Sequence, residues 1–299
     1  MLFLKKYDIL IEEIYTGRTS MPIPTDTKSL YHEFLEKWKK IAILFHLRGL
    51  LGWDQRTFMP KKEEGNRAEQ YALITEIICT LLTDNALYAM AAELKQQAED
   101  NFLTRVETAN IYEAFRQIRL QRAIPVDLEI ALAKETSIAE GIWVEARRTN
   151  NWGLFAPALE KILELVRKRA DALLDGDIGS NRYEALFFEY AWGVSLQEVD
   201  VIFQTLKTKL PPVVKNILAC KNQPDDSILF HHYDVAKQES FCREILSAMP
   251  YDWNAGRLDI STHPFTGISG YGTTRITSRY RNDYIGDSIF SAIHEGGHA

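Results

Sequence analysis

Apolar residues recur at helical spacing along most of this chain, and that periodicity constrains the fold more than any other feature. Side chains three or four positions apart lie on one face of a helix, so a repeated apolar face predicts a packed helix. Pro, Gly and Asn residues separate the periodic runs. The pattern predicts helices at 30–51, 66–82, 87–98, 103–122, 126–148, 155–174 and 196–220.

The periodic part of the chain contains no internal repeat and no convincing linker. Ser195, with Glu198 three positions later, predicts a capping box at the start of the 196–220 helix. Residues 1–27 differ from the rest because they contain Gly17, Pro22 and Pro24, and we predict a short N-terminal extension there. The remaining residues, 28–299, are expected to form one large α-helical domain.

The pattern changes after about residue 252, where short β-branched segments stand beside glycines. We predict two short strands, 260–267 and 274–280, joined by a glycine-rich turn. Asp287 or Ser288 is expected to cap a final helix over 289–299. The predicted fold class is therefore all-α, with a very small β-sheet next to the last helix.

That last helix carries His294, Glu295 and His298. Histidines at i and i+4 share a helix face and can bind one zinc ion, and the adjacent carboxylate can take a proton from water as a general base. The alternative is a helix end with two solvent-facing histidines. Gly296 and Gly297 each cost a helix about 1 kcal/mol relative to Ala, so they indicate either a close approach by substrate or another backbone, or a frayed end.

Three further side chains are candidates for substrate binding. His263 is followed by a rigid proline and an aromatic residue, and its alternative is a histidine satisfied by local backbone. Arg275 and Arg279 flank the second predicted strand and could bind a peptide's terminal carboxylate, or else belong to a solvated strand face. Residues 54–57 follow Trp53 and could equally be a polar helix terminus.

Composition narrows the class of protein. The net charge of −6 argues against nucleic acid as a partner, because phosphate binding needs clustered Lys and Arg. Lys5, Lys6 and Asp8 interrupt the first apolar run, and no stretch has the roughly 18 uninterrupted apolar residues of a membrane span, so neither a signal peptide nor a membrane segment is predicted.

The three cysteines, Cys79, Cys220 and Cys242, form no CxxC pair. We expect buried free thiols and a cytoplasmic setting.

Several segments occur in an order that resembles the carboxypeptidase Taq family of metallocarboxypeptidases. They are Trp53-Asp-Gln-Arg-Thr-Phe-Met-Pro60, Trp143-Val-Glu-Ala-Arg147, Arg182-Tyr-Glu-Ala-Leu186, His263-Pro-Phe265, Arg275-Ile-Thr-Ser-Arg-Tyr280 and His294-Glu-Gly-Gly-His298. The resemblance implies a helical groove beside a small sheet and release of C-terminal amino acids from peptides. It implies His294 and His298 as zinc ligands (with cobalt or manganese as alternatives), Glu295 as base, and a cytoplasmic homodimer. It also places His263, Arg275 and Arg279 along the substrate site.

The end of this chain differs from the pattern of the family. The family's third metal ligand is a Glu on a later helix, whereas this chain ends at Ala299, one residue after His298. We therefore expect a truncated catalytic domain with exposed apolar helix faces and little peptidase activity on its own. Two alternatives remain: a non-catalytic helical protein that binds peptides or a partner, and an endopeptidase of the related helical type.

Overall fold

A computed structural model describes residues 25–100 and 102–299 as a set of helices around one small sheet. Residues 1–24, which hold most of the predicted extension, lie outside the described residues, and the proposed domain boundary at residue 27 stays a prediction. Short 3-10 turns occur at Lys61–Glu63 and Ser227–Phe230. The helices are α1 Thr25–Thr57, α2 Glu64–Leu82, α3 Asn85–Glu99, α4 Arg105–Ala123, α5 Val126–Arg148, α6 Trp152–Asp175, α7 Arg182–Phe187, α8 Leu196–Leu218, α9 Val235–Ala248 and α10 Gly286–His298.

Helices α1 to α4 enclose the largest apolar core. Phe34, Trp38 and Ile41 project from successive turns of α1 and are almost fully buried, and the rings of Phe34 and Trp38 stack with centroids 5.6 Å apart. Each such side chain contributes about 1.5–3 kcal/mol through burial. A capping box between Thr104 and Glu107 starts α4. Helices α1 to α4 thus share one core and form the helical platform of the fold.

Helix α5 packs against α2 on one side and α6 on the other. The guanidinium of Arg169 on α6 forms ion pairs with Glu129 (2.6 Å) and with Glu189, and all three side chains are largely buried. Burial raises the pKa of Glu189, and the Arg169 charge opposes that shift. This pairing joins α5, α6 and the segment after α7.

The sheet has three strands: β1 Arg257–Ile260, β2 Thr266–Gly270 and β3 Thr273–Ser278. β3 is central, parallel to β1 and antiparallel to β2. Gly272, at φ 64°, makes the tight turn between β2 and β3. Behind the sheet, α9 and α10 pack around Leu246, Ile276 and Ala292, all fully buried. The sheet therefore carries α10 on one face.

The prediction of two strands was wrong in its layout. Residues 261–265, which we placed in the first strand, form the connection between β1 and β2. Pro264 has no N–H for a strand ladder, so it favours this position. The cap prediction for the last helix was also wrong, since Ile285 precedes α10 and makes no side-chain cap. The capping box at Ser195 and Glu198 is confirmed.

Helix α8 differs from the other long helices because none of its residues is buried. Its apolar stripe is exposed and includes Ile202, Phe203, Leu206 and Leu210. Among the described residues, this agrees with the expectation of exposed apolar helix faces.

Within residues 25–100 and 102–299, no single helix is long and apolar enough to cross a membrane. The bent pair Lys61–Leu82 and Asn85–Glu99 passes that test by length and composition. In this fold both helices contribute buried side chains to the first core.

The three cysteines are free. Cys79 and Cys242 are buried as expected, but Cys220 is exposed at the end of α8, so the expectation of buried thiols was wrong for that residue.

Candidate active site

A cleft of about 1420 Å³ separates the helical platform from the sheet and α10. Helices α1, α2 and α5 form one wall, and the 261–267 segment with the start of the His-Glu-x-x-His sequence forms the other. Residues that line it include Arg48, Gln55, Arg56, Tyr71, Glu140, Trp143, Glu145, His263, Phe265, Thr266, His294 and Glu295. The cleft thus brings together segments from both ends of the described chain.

The two candidate metal ligands lie together on α10. The Nε2 atoms of His294 and His298 are 3.2 Å apart, and the rings are nearly perpendicular. Two imidazole nitrogens bound to one tetrahedral zinc at the usual bond length would be about 3.3 Å apart. The pair also fits a hydrogen bond between the two imidazoles, so the spacing is compatible with a metal without requiring one.

A hydrogen bond from strand β2 of the sheet positions the Glu295 carboxylate. Glu295 is buried, and the Thr266 hydroxyl donates a hydrogen bond to its Oε2 at 2.6 Å. The same hydroxyl oxygen lies 2.9 Å from the Glu295 carbonyl oxygen. Because β2 is fixed in the sheet, Thr266 sets the direction in which this carboxylate points.

A catalytic zinc site has three protein ligands and a water. Among the residues that the structure describes, no third His, Cys, Asp or Glu completes a cluster with His294 and His298. The described residues therefore match two of the three positions.

Glycines allow the close contacts that position the cleft walls. A Cβ on Gly49 of α1 would lie 2.4 Å from the carbonyl oxygen of Ile268 in β2. A Cβ on Gly296 would lie 2.6 Å from the Leu246 side chain of α9, whereas one on Gly297 would meet no atom within 4 Å. Close approach of a packed neighbour thus explains Gly296, and the structure gives no packing reason for Gly297.

The segment around His263 is fixed by its backbone. The Ser261 hydroxyl donates to the His263 carbonyl at 2.8 Å, and Phe265 N–H donates to Thr277 Oγ1 at 2.9 Å. The His263 imidazole itself is exposed, lines the cleft, and forms no hydrogen bond within the described part of the chain. A rigid backbone therefore presents a free imidazole to the cleft.

Arg275 and Arg279 lie outside the cleft. The Arg275 guanidinium sits 4.1 Å from the centre of the Trp53 ring, and Arg279 pairs with Asp287 at 2.6 Å. Burial lowers the pKa of Arg275, and the like charge of Arg257 adds to this. Neither arginine is among the residues that line the cleft. Their substrate-binding roles, like that of His263, stay predictions.

Trp53 fastens α1 to the sheet. Its indole N–H donates to Asp259 at 3.1 Å, and Arg257 makes two hydrogen bonds to the same carboxylate at 2.7 and 2.8 Å. Asp259 is buried, so this shared carboxylate resists separation of the two walls.

Residues 54–57 link α1 to α5 at the cleft edge. Gln55 donates to the Ser137 carbonyl at 2.8 Å, and Arg56 pairs with Glu140 at 3.4 Å. The Arg56 guanidinium also lies 5.3 Å from the centre of the Phe265 ring, across the cleft. These residues are more than a polar helix terminus, because Gln55 and Arg56 join α1 to α5 within one wall and Arg56 also contacts the opposite wall.

Comparison of the sequence with models of known protein families identifies the family. Residues 33–299 match the model described as Carboxypeptidase Taq (M32) metallopeptidase. The chain belongs to this family. The resemblance read from the sequence is thereby confirmed, and so is the helical fold with a very small sheet.

Similar proteins agree in sequence and in structure. Thermostable carboxypeptidase 1 of Thermus thermophilus is 35% identical, over 91% of this chain and 54% of its own length. The solved structure of Trypanosoma cruzi metallocarboxypeptidase 1 has 28% identity and a TM-score of 0.73, over 91% of this chain and 54% of its own. The Pyrococcus furiosus carboxypeptidase structure has 26% identity and a TM-score of 0.73, over 94% and 55%. The chain spans about half the length of the curated relatives it matches.

The sequence patterns did not point to Thr266, which contacts Glu295, or to Asp259, which holds α1 against the sheet. Thr266 directly follows His263-Pro264-Phe265, so its position beside a candidate segment was the available signal. Asp259 gave no signal, because its partner Trp53 is 206 residues away in the sequence.

Proposed function

We propose that the protein is a metallocarboxypeptidase that releases C-terminal amino acids from peptides. The observation that carries the proposal is the pair of Nε2 atoms 3.2 Å apart on α10, beside a buried Glu295 that faces a cleft large enough for a peptide. Membership of a metallopeptidase family supports a divalent metal. Zinc is the metal we propose, because imidazole ligands suit zinc. Cobalt and manganese are kept as substitutes because the family resemblance implies them.

Each residue has a defined part. His294 and His298 would hold the metal, and the third protein ligand would come from outside the described residues. When bound, the metal supplies Lewis-acid activation of water and of the scissile carbonyl. Glu295 accepts the proton that water loses as it adds to the carbonyl carbon, and returns it to the amine nitrogen as the C–N bond breaks. Thr266 holds the carboxylate in place for both transfers.

The cleft lining supports a peptide substrate. Trp143 and Phe265 supply apolar surface, and Arg48 supplies positive charge, whereas Arg56 is paired with Glu140. A cation in a partly apolar cleft favours a substrate that ends in a carboxylate. The proposed homodimer, the absence of nucleic acid and membrane partners, and the cytoplasmic location are part of this proposal and rest on the sequence.

A second function is favoured by the two-ligand site. If the metal position is not completed, the same cleft would bind peptides or a partner without hydrolysing them. Bound metal and product release separate these two functions, because a binding protein needs neither. The endopeptidase alternative differs in its products, which would be internal fragments rather than single amino acids.

The test measures metal content and amino-acid release on the same preparations. In a protein whose third ligand completes the site, we expect about one zinc per chain in the wild type, loss of zinc in His298→Ala, and retained zinc without release in Glu295→Gln. A matched control is His232→Ala, since His232 is an exposed histidine that does not line the cleft. Peptide binding by a metal-free protein that releases no amino acid would refute the enzyme and support the binding protein.

A further inference from the structure

A second cavity, of about 500 Å³, lies between α3, α4 and the turns on either side of α7. It shares no lining residue with the cleft. One face of α4 contributes Tyr112, Phe115, Arg116 and Arg119, which stand at the i, i+3, i+4, i+7 spacing of a single helix face. The other lining residues are Lys95, Leu120, Asp177, Ile178, Gly179, Phe188, Trp192 and Gly193.

The cavity has two aromatic walls. Tyr112 and Phe115 line it from α4, and Phe188 and Trp192 line it from the turn after α7. Phe188 and Trp192 meet edge to face with centroids 5.8 Å apart, yet Trp192 remains 52% exposed. Exposed aromatic surface on both sides of a cavity is suited to holding a flat ring between them.

The charges in the cavity are mostly positive. Arg116 is 3% exposed, and its Nε and Nη2 both bond to Glu113. Its Nη1 is buried and has no hydrogen-bond partner among residues 25–100 and 102–299. No ligand atom in the cavity can reach that buried nitrogen, and the Arg116 guanidinium lies 5.8 Å from the centre of the Trp192 ring, so Arg116 contributes positive charge to the cavity wall rather than a hydrogen bond.

Arg119 lies three residues, about one helical turn, beyond Arg116 on the same face. It is exposed and forms no ion pair within the part of the chain that the structure describes. Lys95, the third cation, is already paired with Glu99. Asp177 places one negative charge on the opposite side, which disfavours a dianion. The free hydrogen-bonding capacity therefore matches one carboxylate.

The backbone keeps the cavity open. Gly179 and Gly193 adopt φ of 87° and 81°, which lets the two turns curve around the cavity. A Cβ on Gly179 would lie 2.6 Å from Ala185 N, so the first turn is packed tightly on α7. Next to it, Ile178 is anchored in the core with Leu120 and Leu173. The walls are thus held by the fold rather than by a ligand.

We propose that this cavity is a binding site for a small aromatic carboxylate. The ring lies between the walls of Phe115 and Trp192, and the carboxylate accepts hydrogen bonds from the exposed guanidinium of Arg119. The site is separate from the peptide cleft and does not depend on the proposed enzymatic activity.

The test is calorimetric titration of the purified full chain with indole-3-acetate and with indole-3-acetamide, which has the same ring and no charge. We expect millimolar or tighter binding of the acetate, and at least about tenfold weaker binding of the amide. Arg119→Gln should weaken the acetate about tenfold and leave the amide unchanged, whereas Trp192→Ala should weaken both.

The control is Arg105→Gln, which removes an exposed arginine from the same helix without touching the cavity. It should bind both compounds as the wild type does. Absence of binding, equal binding of acetate and amide, or the same affinity in Arg119→Gln and Arg105→Gln would each overturn the proposal.

Discussion

The contact between Gly49 and Ile268 makes the sharpest prediction, because it joins two backbones at the cleft. In Gly49→Ala the new Cβ would lie 2.4 Å from a carbonyl oxygen, and real Cβ contacts essentially never fall below 3.0 Å. The strand must therefore move by several tenths of an ångström. No rotamer change can relieve the clash, because both atoms belong to or adjoin the main chain.

The size of the effect follows from two opposing terms. Alanine should stabilise a helix position by about 1 kcal/mol relative to glycine. Overpacking costs about 1–3 kcal/mol, and a backbone obstacle places this site at the upper end. We expect Gly49→Ala to lower the free energy of unfolding by about 1–2 kcal/mol.

Gly65→Ala is the matched control, because a Cβ at Gly65 on α2 meets no atom within 4 Å. It should leave stability unchanged or raise it by up to about 1 kcal/mol. The assay is urea unfolding followed by tryptophan fluorescence, with the midpoints compared at equal slope. A Gly49→Ala midpoint at or above that of the wild type would refute the close α1–β2 contact.

Three further predictions concern single groups. Thr266→Val removes the hydroxyl that donates to the buried Glu295 carboxylate, and it should lower the free energy of unfolding in urea by about 1.5–3 kcal/mol. Thr266→Ser keeps the hydroxyl and is the control. Equal losses of stability in the two variants would exclude a role for that hydrogen bond. A thiol reagent should titrate one thiol per native chain, the exposed Cys220, and three after unfolding, so a second fast-reacting native thiol would contradict the burial of Cys79 and Cys242. Burial raises the pKa of Cys79 from 9.0 to about 12. The unfolded chain loses this proton first, so stability should fall as pH rises from 9.0 towards 12, by up to about 1.4 kcal/mol per unit. Cys79→Ala should flatten that fall, and an unchanged slope would assign it to other groups.

Local patterns in the sequence predicted most of the helices because each depends on nearby residues. The structure gives α5 the predicted bounds, whereas α1 extends five and six residues beyond its predicted ends and the other predicted helices differ by up to three residues at an end. Helix α9 was not predicted, although Asp234 caps it and Cys242 and Leu246 lie on its buried face. That signal was present in the sequence.

Pairings between distant segments could not be predicted in the same way. The four-residue β1 is too short for its own pattern, and its parallel partner β3 becomes evident only in three dimensions. The same holds for Gly49, since a glycine inside a helix does not show which backbone approaches it. The His-Glu-x-x-His sequence was readable because its histidines are one helical turn apart, whereas Thr266 is 29 residues from Glu295.

The bond between Trp53 and Asp259 has a consequence for the order of events during synthesis. It spans 206 residues, so at about 5–20 residues per second the ribosome adds the second partner roughly 10–40 s after the first. Helices α1 to α4 have their own core and can fold within that interval. Until β1 emerges, the Trp53 side of α1 has no sheet to pack against, and the nascent chain is open to aggregation at this apolar surface, which the sheet later covers.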